Sequence, residues 1–320
     1  MNKKAPILIL IAVVLIAVVS FQWRKTSKDS DIALDPQELP ESNGNQDREL
    51  NRSGSISLSS SLTDASVRWE VRVDRVRNFQ LDELSQADID VLFELLTYEP
   101  DQQHQQEDWW VVLNEIMDQL RKTASLHDRF TEAMLSLMSD DGQHEVVRDY
   151  AVQHLGLAMM PTSQQSAEQH DFTQAQLQSS FDHFAQVITD PSLQQGSIPG
   201  TTLTLLTHLN QTEVAPEILE QTLESLKPWL NETVSGESEA SLSVRTTAIN
   251  SAGDLQIEEL TPTIRNLAYD TEEDINIRLN AIAALGQLGE AQDLTHLQSI
   301  ANSTSKLKFA AKSALNNLQN

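Results

Sequence analysis

Three arginines recur in one local setting: Arg148 in Val147-Arg148-Asp149-Tyr150-Ala151, Arg245 in Val244-Arg245-Thr246-Thr247-Ala248, and Arg278 in Ile277-Arg278-Leu279-Asn280-Ala281. Guanidinium groups at a fixed spacing are chemistry for anions, because each presents a planar fork of donors to a carboxylate or phosphate. The same fork can tie parts of a fold together by pairing with an acid or a carbonyl, and in so acidic a chain that structural role is the expected one. Eight histidines, His104, His127, His144, His154, His170, His183, His208 and His296, offer ligands or a general base, but they are scattered and form no HExxH run. His170-Asp171 and Asp182-His183 are adjacent pairs, and adjacent residues on a helix point in different directions. Asp270-Thr271-Glu272-Glu273-Asp274 lacks the spaced acceptors and glycine of a calcium loop; Thr271 is expected to cap the next helix, with the acids complementing its dipole. Trp109-Trp110 is the strongest aromatic pair, one ring for the core and the other available as a partner contact. No cysteine is present, which removes disulfides, thiolate metal sites and thiol nucleophiles, and no GxSxG elbow, P-loop or dinucleotide fingerprint occurs. The expectation is therefore no catalytic residues, no cofactor and no metal.

Charge narrows the partners. The 320 residues carry 22 Lys+Arg against 47 Asp+Glu, a formal net charge of −25. Nucleic acid is excluded as an expected partner, because phosphate binding needs a basic footprint. Residues 1–28 hold five basic and no acidic residues, so the rest of the chain has a net charge of −30. Such a domain is repelled by anionic lipid and suits a basic or mixed-charge protein segment.

The elements that position these groups begin with an apolar N-terminus. After the short tail 1–4, residues 5–23 contain no charge, and Ile7 to Val19 are thirteen apolar residues in a row. At ~1.5 Å per residue the stretch reaches about 28 Å, close to the thickness of a bilayer core. It reads as a transmembrane signal anchor, with a cleaved secretory signal as the competing reading. Basic residues on both sides leave the positive-inside count undecided. The short N-tail, the signal-like layout and the absence of cysteine point to single-pass membrane insertion with the bulk of the chain extracytoplasmic (periplasmic). Residues 24–64 are polar and punctuated by Pro, Gly and Ser, the composition of a disordered linker.

From residue 65 to 320 the pattern is helical. Val67, Trp69, Val71 and Val73 alternate as in a strand, but Trp69, Val73 and Val76 fit a helix equally, and the helical periodicity of the residues C-terminal to them favours a helix here too. Ser85-Gln86-Ala87-Asp88 is a capping box before Ile89 and Leu92. Trp109, Leu113, Ile116 and Leu120 form one apolar stripe, and Phe130, Met134, Leu135 and Met138 another. Polar insertions at Asp101–Asp108, Pro161–Asp171 and Asn231–Ser241 are expected to be loops.

The most specific signal is an internal repeat: aliphatic, basic, two variable residues, Ala, three variable, Leu or Ala, then Gly or Asn. It occurs at 147–156, 244–253, 277–286 and 307–316, with Lys308 and Ala311 in the last copy. Arg245 to Arg278 is 33 residues and Arg278 to Lys308 is 30; Arg148 to Arg245 is 97, close to three periods. Ala151, Ala248, Ala281 and Ala311 allow close helix approach, and Gly156, Gly253 and Gly286 are expected to end their helices in left-handed caps. Two-helix units of this kind bury their apolar faces only by stacking.

These motifs resemble the HEAT repeat family, in particular the short HEAT-like units of phycobilisome lyase-type proteins, well over 244–318 and fairly at 147–156. The resemblance implies an all-α, right-handed α-α superhelix acting as a protein-binding scaffold or adaptor. It also keeps open an accessory or lyase-like enzyme role with a small ligand, and a self-associating envelope spacer is a third reading.

Overall fold

The structure is a computed structural model, and it describes residues 58–79, 84–100, 103–123, 126–160 and 172–319. The expected tail 1–4, the membrane segment 5–23, the linker as far as residue 57 and the loop at 161–171 lie outside the described residues. Among the described residues every regular element is helical, and no helix is long and apolar enough to cross a membrane. In chain order the α-helices are α1 (Leu58–Thr63), α2 (Trp69–Arg77), α3 (Gln86–Glu94), α4 (Gln103–Arg121), α5 (His127–Ser139), α6 (Glu145–Met159), α7 (Gln174–Thr189), α8 (Ile198–Gln211), α9 (Pro216–Ser235), α10 (Leu242–Asp254), α11 (Thr261–Tyr269), α12 (Ile275–Leu288), α13 (Asp293–Ala301) and α14 (Lys308–Leu318).

In sequence the helices alternate as seven odd–even pairs (hairpins) among the described residues, and from α5 onward each odd helix packs on the next even one; α3 packs on α1, with the turn 95–97 that follows it packed on α4. Even helices pack on even helices from α2 to α14, so the hairpins stack in two layers. Short-range signals explain the starts. Ser85 and Asp88 form the expected capping box, Thr173 and Gln176 form another, and Ser241 caps α10. The stripe Trp109, Leu113, Ile116 and Leu120 is buried to within 1% exposure, forming the core of α4.

Several boundaries differ from expectation. The helical body starts inside the expected linker: α1 contributes Leu62, fully buried, to the shared core. Residues 103–108 are the first turns of α4 rather than a loop, and α9 runs to Ser235, leaving 236–241 as the connection. The cap of α12 is Asp274, whose carboxylate accepts from the Asn276 and Ile277 amides, and not Thr271.

The repeat glycines also have a different role. Gly156, Gly253 and Gly286 lie within α6, α10 and α12, and none has a positive φ. A Cβ on Gly253 would stand 3.0 Å from Ala284 Cα, and one on Gly286 would stand 2.8 Å from Ala314 Cα. They are contact points between successive even helices, where the missing side chain sets the approach. The left-handed cap belongs to Gly236 (φ 84°), which ends α9 and stands where a Cβ would meet the Arg245 guanidinium. Ala151, Ala248, Ala281 and Ala311 are fully buried at the inter-helix seam, as expected.

Candidate functional site

The repeated arginines are the first candidates, and most turn inward. Arg148 is 7% exposed; its Nε donates to the Met138 carbonyl at 3.0 Å and it pairs with Asp141. Arg245 donates to the Val234 and Ser235 carbonyls and pairs with Glu273 at 3.0 Å. Each thus satisfies the last-turn carbonyls of the odd helix in its own hairpin, where cations also complement the helix dipole. Arg72 does the same to the Leu62 carbonyl, a copy the sequence pattern did not single out. Arg278 departs from the set: its guanidinium bonds no carbonyl or carboxylate among the described residues, and its Nε, like that of Arg72, is buried without a partner. Arg148 and Arg245 are struts, and the repeated arginines form no anion ladder.

The contact register between even helices is the same along the stack. The residue five after each alanine position meets the residue three after the alanine position of the next helix. This gives Gly253 on Ala284 and Gly286 on Ala314. Where the alanine position holds Trp109 and Thr202, the same register brings Asn114 Oδ1 to His154 Nε2 at 3.0 Å and Thr207 Oγ1 to Ser251 Oγ at 3.3 Å. His154 is therefore a buried rung of the stack, and burial, with Arg121 adding to it, pushes its pKa down to about 4.

The odd layer has its own strut. Arg265 grips Asp293 with Nε at 2.7 Å and a second nitrogen at 3.0 Å, and the Tyr269 hydroxyl donates to the same carboxylate at 3.0 Å. Burial by itself raises the Asp293 pKa, but the bonds from Arg265, the Glu290 amide and Tyr269 outweigh it and hold the group below the ordinary carboxylate value.

With these groups engaged inside the stack, the candidate surface is the outward face of the even helices. One place after the basic position stand Glu107, Asp149, Gly200, Thr246, Leu279 and Phe309; Glu107, Leu279 and Phe309 are exposed, Asp149 and Thr246 are part-buried, and Gly200 is buried against Thr247. The exposed members are acidic at Glu107 and apolar at Leu279 and Phe309. Phe309 is 72% exposed and Leu279 41% exposed; Ile275, one turn before Leu279, and Leu242, at the corresponding place in α10, are also exposed. These four exposed apolar side chains fall at two places, Leu242 and Ile275 at one and Leu279 and Phe309 at the other, on three successive packed even helices, and exposed apolar groups so collected are the form an interaction site takes. Charge changes in the same direction. No Lys or Arg occurs from Asp149 to Leu226. Among the described residues, the cations without a carboxylate or carbonyl partner are Arg278 and the three lysines of the last hairpin, Lys306, Lys308 and Lys312. Lys308 lies over the Phe309 ring, its Nζ 5.0 Å from the centroid.

The tryptophan pair divides as expected. Trp109 is 1% exposed and packs edge-on to Tyr98 at 5.0 Å, while Trp110 is half-buried, its ring tilted against His144 at 4.3 Å. The histidines stay dispersed: His144 caps α6, His183 bonds the Ser179 carbonyl and His296 stacks on Tyr269. Among the described residues no group of His, Asp or Glu is arranged to hold a metal.

A family model described as HEAT repeats matches residues 226–316, spanning the end of α9 through α14, so the chain carries HEAT repeats over that range. None of the curated proteins searched matches the chain. Among solved structures, the chain is similar to one titled as the complex of CpcE and CpcF of phycocyanin lyase from Nostoc sp. PCC7120. The identity is 14% and the TM-score 0.37, over 89% of this chain and 100% of that one.

Proposed function

We propose that this protein is a membrane-tethered scaffold or adaptor that binds a mixed-charge protein segment along the outward face of its even helices and performs no chemistry of its own. The observation that carries the reading is the set of exposed apolar side chains Leu242, Ile275, Leu279 and Phe309 beside unpaired lysines, following an acidic stretch from Asp149 to Leu226 without Lys or Arg. A segment with a basic part and an apolar, acid-flanked part complements both regions, the apolar side chains supplying the anchor and the charges supplying register. The tether is residues 5–23 and the reach is the polar stretch after it, which together hold a right-handed α-α superhelix outside the cytoplasm.

The test is capture by the tagged full chain from solubilised membranes, with wild type compared to Phe309→Ser and Leu279→Ser at low and high salt. Partners lost both at high salt and in the two variants support the reading. A partner list unchanged by all three treatments overturns it. For the tether, the expected result is retention in the membrane pellet after alkaline extraction, with C-terminal reporter fusions active only outside the cytoplasm.

A further inference from the structure

Between the second and third hairpins lies a cleft of about 210 Å³, formed where the connection before α4 meets the connection before α6. Tyr98 and Glu99 of the first connection, Gln143 and His144 of the second, and Trp109 and Trp110 of α4 are among the residues that line it. We infer that this cleft takes one basic side chain of the protein partner, a lysine or arginine, whose cation meets the Glu99 carboxylate and the Trp110 and Tyr98 rings. The assignment rests on the scaffold reading and names the chemistry of one contact within it.

Four features select that occupant. Two aromatic residues and an acidic one lining one concavity, Tyr98, Trp110 and Glu99, are the complement of a cation, with His144 packed against the Trp110 ring. No Lys or Arg lines the cleft; Arg148 is bonded to Met138 and Asp141, and Arg72, bonded to the Leu62 carbonyl, has its charge offset by Asp108 and Asp64. The chain around it adds Glu107, Asp108, Asp140, Asp141 and Glu145, so the local field is negative. The buried Trp109 indole N–H has no acceptor in the protein, and a peptide brings a backbone carbonyl beside its side chain. A purely apolar ligand would leave Glu99 and that N–H without partners, and an anion would face only like charge.

The five tryptophans give indole N–H signals that can be followed by NMR on the full chain in nanodiscs. The probes are Nα-acetyl-arginine methylamide and, as control, Nα-acetyl-glutamate methylamide. The expected result is a saturable shift of the Trp109 and Trp110 signals with the arginine probe alone, weakened about tenfold or more by Glu99→Gln, a change at an exposed residue that leaves the core intact. Trp110→Leu, with its unfolding midpoint measured alongside, should abolish the effect while the other indole signals hold their positions. A shift that never saturates, or that survives Glu99→Gln, overturns the assignment whether or not the chain captures a partner. Probe binding lost in Glu99→Gln, in a chain that captures no protein, upholds the cleft and removes the scaffold reading instead.

Discussion

In the last three hairpins the joint between successive even helices is Gly253 on Ala284 and Gly286 on Ala314; in the earlier ones it is Asn114 with His154 and Gly156 on Leu205, and Thr207 with Ser251 joins the two groups. The register is common to all of them, but the side chains filling it differ. Small residues let the later helices approach backbone to backbone. The earlier helices are held by hydrogen bonds or by a leucine in the gap. Carbonyl capping varies in parallel. Gln194, and no arginine, donates to the Ile188 and Asp190 carbonyls after α7, because Pro199 occupies the basic position of α8. Solenoid packing thus constrains geometry at each joint more tightly than residue type.

Perturbing the struts of the odd layer should show the largest contrast. Asp293→Ala leaves Arg265 and Tyr269 without their shared acceptor in a nearly dry site, and should cost about 3–5 kcal/mol in chemical denaturation. The Arg129–Asp90 pair between α5 and α3 is 41% and 47% exposed, so Asp90→Ala should cost under about 1 kcal/mol.

At the joints, Gly286→Val should cost on the order of 3 kcal/mol, since the added carbons meet the Ala314 backbone. A Cβ at Gly156 would overlap both methyls and the Cγ of buried Leu205, so Gly156→Ala displaces that side chain and should cost about 2 kcal/mol. Adding Leu205→Ala to Gly156→Ala should cost less than Leu205→Ala in the wild type; strict additivity would show that the two residues do not share the gap.

The Asn114–His154 joint should be pH-sensitive where the glycine joints are not. Burial lowers the His154 pKa from 6.5 to about 4, so below pH 6.5 the unfolded chain takes up a proton that the folded chain refuses. Stability is then lost as pH falls through that window, by up to about 1.4 kcal/mol per unit. His154→Gln should remove this slope in thermal melts between pH 7 and 5. Asp293, with its pKa held below 3.8, contributes stability that is present above that value and lost as pH falls beneath it, so Asp293→Asn should flatten only the more acid limb.

The smallest contrast concerns the arginines. Arg245→Met frees two last-turn carbonyls and should cost about 1 kcal/mol, whereas Arg278→Met, whose Nε is unpaired, should stay within about 0.5 kcal/mol in the same assay.

The fold class and the last three hairpins were legible because their joints are built from a repeated Ala and Gly, residues whose spacing survives in sequence. The earlier units were not, since Trp109 and Thr202 stand where the later helices carry alanine, and Asn114 and Thr207 where they carry glycine. The 97 residues from Arg148 to Arg245 accordingly span two hairpin steps, through α8 to α10, and not the expected three. The candidate face was half legible. Acidity and the tryptophan pair were plain, but exposure at Phe309 and Leu279 depends on which side of each helix the stack covers.

The sequence by itself determined the helical class, the stacking of two-helix units, the acidic balance and the absence of thiol chemistry, because period, composition and charge are properties of the chain alone. Tertiary structure decided that the repeat glycines are contacts and not caps, that Arg148 and Arg245 are struts, and that Leu242, Ile275, Leu279 and Phe309 stay exposed. Those outcomes depend on what each residue meets in the next helix, and local sequence carries no record of the neighbour.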